Sequence, residues 1–191
     1  MALPGRKSLI INAAKSPSQH QHGNLTGSRR VVNDNVVTLY NATQMWNTIY
    51  LGGVQALRDV QKTPESDDSF QTCCEKLGVT VESMNQQVAI MQDCVNKFTS
   101  LSKLDTTSGF PVFISWSHQA FAESSARITT AYLAESKRRE KMVKILKNFP
   151  PSTKQFEALY IAWIHRVDIT PEDDAQMQAM LYEAEIRPPP V

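Results

Sequence analysis

The sequence predicts an all-α protein: an antiparallel hairpin of two long helices of coiled-coil type, a third long helix and two short C-terminal helices. Two observations carry this prediction. Apolar residues recur in alternating steps of four and three over two long stretches, which is the heptad pattern of packed helices. Glycine occurs only 7 times in 191 residues, and strand-like alternation is hard to find. The 41% of apolar residues suffice for a core in a chain of single-domain length.

The first helix is predicted from Val32 onward, where a regular seam begins. The seam comprises Val32, Val36, Leu39, Thr43, Trp46, Tyr50, Gly53, Leu57 and Val60. Gly52 and Gly53 interrupt its middle, which indicates either a kink or a point where another helix comes close. Pro64 then ends the helix in a polar loop.

The second helix has an equally regular seam, with polar residues on both sides of it. The seam comprises Phe70, Cys74, Leu77, Val81, Met84, Val88, Met91, Val95, Phe98 and Ser102. Two long helices with matched seams and a short loop predict the hairpin. The three cysteines are Cys73, Cys74 and Cys94, and their spacing fits no disulfide framework. We therefore expect a reducing compartment, with Cys74 as a small core residue.

The segment FPVFISW, residues 110–116, concentrates aromatic side chains in what should be a connection. Gly109 and Pro111 prevent the second helix from continuing. We expect a buried strap, in which Phe113 and Trp116 fold back over the open end of the hairpin. The alternative is that Trp116 stays partly exposed and contacts a partner.

The third helix is predicted from Ser117 to Phe149, and its middle departs from the seam pattern. Glu135 and Arg139 stand where apolar residues are expected. This interruption suggests that the helix projects past the hairpin core and presents that end to a partner. The stretch 135–147 contains six basic residues and two acidic ones. The basic residues are Lys137, Arg138, Arg139, Lys141, Lys144 and Lys147.

Such a surplus of positive charge has two interpretations. It is either a solvated helix face or a contact for phosphate or for an acidic protein surface. The interleaved aromatic residues that accompany base stacking are missing, so a nucleic acid is not the expected direct ligand.

The C-terminal part predicts two short helices from their start signals. Ser152 or Thr153 can cap the fourth helix. Thr170, followed by Pro171 and three acidic residues, is a typical start for the fifth. The predicted organisation is therefore a disordered basic arm over residues 1–30, one helical-bundle domain over 31–187 and a proline-rich tail over 188–191.

The residues that carry enzyme chemistry form no recognisable constellation. Phosphate-binding, dinucleotide-binding, zinc-protease and calcium-loop motifs are missing, and His118 and His165 are the only histidines of the predicted bundle. We expect no catalytic, cofactor or metal site. No stretch approaches the length of a membrane span, and the N-terminal apolar run is too short for a signal peptide. A net charge of +1 favours no class of partner.

The N-terminal arm carries two short linear patterns. Lys7-Ser8-Leu9-Ile10 matches the loose pattern by which proteins dock on cyclins, and Ser16-Pro17 is a minimal proline-directed phosphorylation site. Both patterns recur by chance in many chains, but here they lie close together. Ser16 is therefore a candidate phosphosite.

A set of spaced anchors extends over residues 31 to about 187. Asp34-Asn35 precedes Trp46 in the first helix. Phe113-x-x-Trp116 leads into a helix that carries Phe121 and Tyr132, and Trp163-Ile164-His165 follows late in the chain. With these spacings the chain resembles the cyclin-dependent kinase 2-interacting protein family. It departs from the family's pattern at Val167-Asp168, where the family has Pro-Tyr.

The resemblance implies a small non-catalytic helical adaptor, mainly nuclear and also cytoplasmic. Its implied partners are cyclin-dependent kinases with their cyclins, replication and checkpoint proteins, and subunits of a AAA ATPase assembly linked to replisome and ribosome-precursor turnover. Alternative functions are a structural coiled coil that only self-associates and a weak nucleic-acid binder acting through the basic helix 137–147. The candidate partner-binding residues are Phe113, Trp116, Trp163, His165, Lys137, Arg138, Arg139 and Lys141.

Overall fold

The computed structural model describes residues 25–62, 67–104 and 110–187. These residues form five α-helices and no strand, which confirms the all-α prediction. The helices are α1 (Gly27–Lys62), α2 (Asp67–Leu104), α3 (His118–Leu146), α4 (Lys154–Ile164) and α5 (Pro171–Glu183). Ser16 and both linear patterns of the N-terminal arm lie outside the described residues.

Helices α1 and α2 pack closely along their lengths as the predicted hairpin. At 36 and 38 residues, they are each roughly 55 Å long. The seam residues of both helices are buried from Val32 to Val60 and from Leu77 to Phe98. Helix α1 begins at Gly27 rather than near residue 32, so residues 27–30, which we assigned to the arm, are helical.

Near the hairpin turn the seam of α2 differs from its prediction by one position. Cys73 is buried, whereas Cys74 is only half-buried. Cys73 and Cys74 stand four and three residues before Leu77, and both spacings place a side chain on the face of Leu77. Periodicity therefore could not choose between them. Burial raises the pKa of the Cys73 thiol to about 12.

Helix α3 packs along α2, and α4 and α5 lie against both α1 and α3. The two short helices thus fill the groove between the first and third long helices. Trp46 supports this groove from α1, since its ring meets Tyr132 of α3 edge-on at 5.1 Å. The indole N–H of Trp46 donates to the hydroxyl of Ser136 over 2.9 Å.

The starts of the later helices follow local sequence signals. The hydroxyl oxygens of Ser117 and Thr153 accept backbone N–H bonds from Ala120 and Phe156. At the start of α5, the carboxylate of Asp173 accepts hydrogen bonds of 2.9 Å from both the backbone N–H and the hydroxyl of Thr170. Each short helix therefore begins at a capping residue that the sequence predicts.

Candidate interaction surfaces

The two polar residues that interrupt the α3 seam form a buried ion pair. The side chains of Glu135 and Arg139 are both 0% exposed, and Arg139 Nη2 lies 2.6 Å from Glu135 Oε1. The guanidinium also packs on the rings of Tyr50 and Trp163, at 4.9 and 4.8 Å from their centroids. Desolvation lowers the pKa of Arg139, and the carboxylate of Glu135 opposes that shift.

This ion pair holds the C-terminal end of α4. Arg139 donates to the backbone oxygen of Trp163 and, over 3.0 Å, to that of His165. The hydroxyl of Tyr50 donates to the backbone oxygen of Ile164. The last carbonyls of a helix have no partner within the helix and carry partial negative charge, so a cation and a hydroxyl there stabilise it.

A second set of contacts fixes the turn that follows α4. Glu135 Oε2 accepts the backbone N–H of Asp168 over 2.9 Å. Arg138 donates to both carboxylate oxygens of Asp168, over 2.8 and 2.9 Å. These hydrogen bonds hold the pKa of Asp168 below its ordinary value. The prediction that α3 projects past the core at this point was wrong, because its polar residues are covered by the α4–α5 segment.

Gly53, the second of the two adjacent glycines of α1, lies where another helix comes close. A Cβ atom placed on Gly53 would lie 2.8 Å from Cζ2 of Trp163, whereas one placed on Gly52 would meet nothing within 4 Å. Gly53 therefore provides the notch into which Trp163 of α4 packs. Of the two alternatives that the sequence left open, the structure supports the approach of another helix.

The strap over residues 110–116 closes one end of the bundle. The backbone N–H of Val112 donates to the backbone oxygen of Trp116 over 2.7 Å, which folds the strap into a tight loop. The rings of Phe113 and Trp116 pack edge-on against Phe121, at 6.4 and 5.3 Å between centroids. Phe113 and Trp116 therefore fold back as predicted. Both side chains are half-buried rather than buried, so Trp116 also stays partly exposed, as the alternative required.

Helix α5 secures the strap through a residue that sequence reasoning missed. The carboxylate of Glu183 accepts the backbone N–H groups of Ser115 and Trp116, over 2.8 and 3.1 Å, and the hydroxyl of Ser115 over 2.7 Å. Burial alone would raise the pKa of Glu183, but these hydrogen bonds together hold it below its ordinary value. From the other side, the guanidinium of Arg29 lies 4.8 Å from the ring centroid of Phe113.

The same end of the molecule exposes large apolar side chains. Phe110 is 72% exposed, Ile114 46% and Tyr182 69%. Ile114 and Tyr182 directly precede Ser115 and Glu183, the residues that join the strap to α5, so they flank that junction. Phe110, Ile114 and Tyr182 form what we call the strap-end patch.

The structure separates the eight residues that we expected to bind a partner. Trp163 and Arg139 are buried, so neither side chain is available at the surface. Phe113 and Trp116 are half-buried within the strap, while His165 is exposed at the end of α4. Arg138 is committed to Asp168, which leaves Lys137 and Lys141 exposed and without an acidic side chain at ion-pair distance among the described residues.

The residues that carry the family resemblance lie mostly in the interior. Asn35, Trp46, Phe121, Tyr132 and Trp163 are all buried. The anchors of the resemblance therefore belong to the packing of the helices more than to an exposed binding site.

Neither a scan against protein-family models nor a search of curated proteins finds a match for this chain. Within residues 25–62, 67–104 and 110–187, no three or more His, Cys, Asp or Glu side chains are grouped so as to hold a metal ion. None of the helices described there is long and apolar enough to cross a membrane.

Proposed function

We propose that this chain is a non-catalytic adaptor that binds other proteins, and that the strap-end patch is one of its binding surfaces. The observation that carries the proposal is the concentration of exposed aromatic and aliphatic side chains at one end of the bundle. Exposed apolar side chains that lie near one another mark protein-binding sites more often than scattered single residues do. Aromatic anchors such as Phe110 and Tyr182 are also typical of interface hot spots.

The backbone that carries part of the strap-end patch is preorganised in the free protein. The three hydrogen bonds to Glu183 and the packing of Phe113 and Trp116 on Phe121 fix the backbone that carries Ile114. A preorganised surface loses little conformational freedom on binding, so more of the contact energy appears as affinity. A binding role fits this arrangement better than a purely structural role, which would turn these side chains inward.

The contacts of the buried and partly buried ionisable side chains support a non-catalytic role. Arg139 and Glu135 bind each other and the end of α4, Asp173 caps α5, and Glu183 binds the strap. Each of these groups is committed to a structural contact rather than directed into a substrate-sized cleft. Catalysis requires such groups to converge on a reacting atom.

The resemblance to the cyclin-dependent kinase 2-interacting protein family supplies the proposed partners. They are cyclin-dependent kinases with their cyclins, replication and checkpoint proteins, and subunits of a AAA ATPase assembly. The proposed location is the nucleus, with the cytoplasm as a second site. The exposed strap-end patch supports a binding role, and the names of the partners rest on the resemblance alone.

The test replaces the strap-end patch in the full-length chain in cells. Tagged wild type is compared with Phe110→Ser/Tyr182→Ser and with the matched control Val79→Ser/Ile90→Ser, which removes two exposed apolar side chains from α2. Crosslinking and quantitative mass spectrometry then measure the recovered kinase and ATPase subunits. We expect at least a tenfold loss of recovery for the patch variant and none for the control. Unchanged recovery would reject the strap-end patch as a binding surface.

A further inference from the structure

The fold pairs some of the basic residues of α3 with other parts of the same chain, which the amino-acid composition alone does not reveal. Two of the six basic residues are arginines, and both guanidinium groups bind other residues of this chain. Arg139 is buried against Glu135, and Arg138 binds Asp168 through two hydrogen bonds. The exposed basic side chains of this stretch that are not paired with Asp168 are those of lysines.

The remaining lysines share one face of the helix with an exposed isoleucine. Lys137, Lys141 and Ile145 stand at successive intervals of four residues, so they form one row along α3. Lys144 lies beside this row and binds Glu140 at 2.6 Å. Ile145 is 46% exposed. We call Lys137, Lys141, Lys144 and Ile145 the lysine face.

The lysine face is well separated from the strap-end patch. The strap precedes the N-terminus of α3, and Lys141 lies 23 positions after His118, the first residue of that helix. At 1.5 Å per residue this is about 35 Å along the helix axis. A protein bound at one surface therefore leaves room for another protein at the other.

From this arrangement we infer that the lysine face binds an acidic amphipathic helix of a second partner protein. Glutamate or aspartate side chains of that helix would pair with Lys137 and Lys141, and an apolar side chain would cover Ile145. Successive members of the row are about 6 Å apart along the axis, slightly more than one helical turn of about 5.4 Å. A helix packed at a small crossing angle presents its own i and i+4 side chains at matching intervals. The inference rests on the proposed function only in that this chain acts by binding proteins.

The same chemistry argues against a nucleic acid as the ligand of this face. Sequence-specific and phosphate contacts favour arginine, whose planar group binds two oxygens at once. Arg139 is buried, and Arg138, although 45% exposed, already binds both carboxylate oxygens of Asp168. No aromatic residue occurs between Lys137 and Lys147 to stack on a base. The exposed apolar side chain of Ile145 beside the lysines instead suits a protein partner.

The experiment selects ligands for the full-length protein from a display library of random 16-residue peptides. Counter-selection uses the variant Lys137→Glu/Lys141→Glu. The matched control is Lys76→Glu/Lys103→Glu, which reverses two exposed lysines of α2. Circular dichroism and urea unfolding establish that all three proteins are folded. Fluorescence anisotropy then measures the dissociation constants of enriched peptides.

We expect enriched peptides that combine Asp or Glu with apolar residues at helical spacing. Their binding should weaken at least tenfold in Lys137→Glu/Lys141→Glu, remain unchanged in the control, and weaken as salt concentration rises. Replacing the Glu residues of such a peptide by Lys should restore its binding to the charge-reversed variant Lys137→Glu/Lys141→Glu. This reciprocal rescue would not occur if the substitutions acted only through stability.

Three outcomes would overturn the inference. The first is that selection enriches no peptide, and the second is that the enriched peptides lack acidic residues. The third is that the acidic peptides bind the charge-reversed variant as tightly as the wild type. Parallel titrations use a fluorescent single-stranded oligonucleotide, a duplex, and vesicles containing phosphatidylserine. Tighter binding of one of these than of the best peptide, lost in the charge-reversed variant, would replace the protein partner by that ligand. The Phe110→Ser/Tyr182→Ser result is independent of every such outcome, so the two proposals can fail separately.

Discussion

The two adjacent glycines of α1 offer a direct test of how α4 is seated. Alanine at Gly53 would place Cβ at 2.8, 3.1 and 3.2 Å from three ring atoms of Trp163. Favourable contacts between carbon atoms lie near 3.5–4.0 Å, so the ring would have to retreat by roughly 0.7–1.2 Å. Gly52 is exposed, and a Cβ atom added there would meet no side chain and no other part of the chain within 4 Å, so Gly52→Ala is the matched control.

The pair of variants separates the clash from the effect of helix propensity. Replacing glycine by alanine within a helix stabilises it by about 0.8–1.0 kcal/mol at either position. Overpacking a filled core costs roughly 1–3 kcal/mol. Because the propensity gain is common to both variants, Gly53→Ala should be less stable than Gly52→Ala by about 1–3 kcal/mol. The control itself should be more stable than wild type.

The ring of Trp163 has little freedom to move away from a methyl group at Gly53. It is 1% exposed, and the guanidinium of Arg139 also packs on it, at 4.8 Å from the ring centroid. Urea unfolding measures the free-energy difference, and thermal unfolding should show a separation of roughly 2–4 °C for each kcal/mol. Adding Trp163→Phe, which shortens the ring, should recover part of the loss at Gly53→Ala. Equal stability of the two alanine variants would refute the notch.

Three further predictions concern the polar contacts and the buried thiol. Arg139→Met should lower the free energy of unfolding by about 3–5 kcal/mol, because it leaves the carboxylate of Glu135 buried without its cationic partner. The double variant Glu135→Leu/Arg139→Met should lower it by less, and urea unfolding of both variants measures the difference. The pKa of Glu183 lies below its usual 4.5 in the folded protein, so its stabilising effect is present above that value and is lost as the pH falls through the folded pKa. Glu183→Gln should therefore flatten the acid dependence of unfolding, and an unchanged profile would contradict this assignment. The thiol of Cys73, with its pKa raised to about 12, should resist iodoacetamide at neutral pH until the protein unfolds, while half-buried Cys74 reacts sooner by mass spectrometry; equal native-state rates would be inconsistent with the burial of Cys73.

The parts of the fold that sequence predicts well are those specified by neighbouring residues. The α2 seam from Leu77 to Phe98 is visible in the sequence because the residues that pack together recur at a fixed local spacing. The caps at Thr153 and Thr170 are equally local, since each side chain bonds within its own first turn. No knowledge of the tertiary structure is needed to place these elements.

Contacts between distant parts of the chain were not predictable in the same way. Glu183 bonds to Ser115 across 68 positions, and nothing near either residue in the sequence indicates the other. The available signal was an acidic residue placed among the apolar residues of α5, which also describes an ordinary solvated position. The burial of Trp163 required knowing which helix lies against Gly53, and the notch alone does not specify its occupant.

The polar interruption of the α3 seam shows why an apolar pattern should be interpreted together with the elements that remain unplaced. Glu135 and Arg139 disrupt a two-helix seam, and from that seam alone projection into solvent was the natural interpretation. A second helix that packs on α3, however, ends in backbone carbonyls that have no hydrogen-bond partner within that helix, so α3 is expected to offer donors to them. A buried arginine can do so only if its own charge is balanced within reach, and a glutamate one turn earlier provides that balance. The i and i+4 pair therefore marks the docking site of α4, and the partner that these residues contact is the C-terminal part of the same chain.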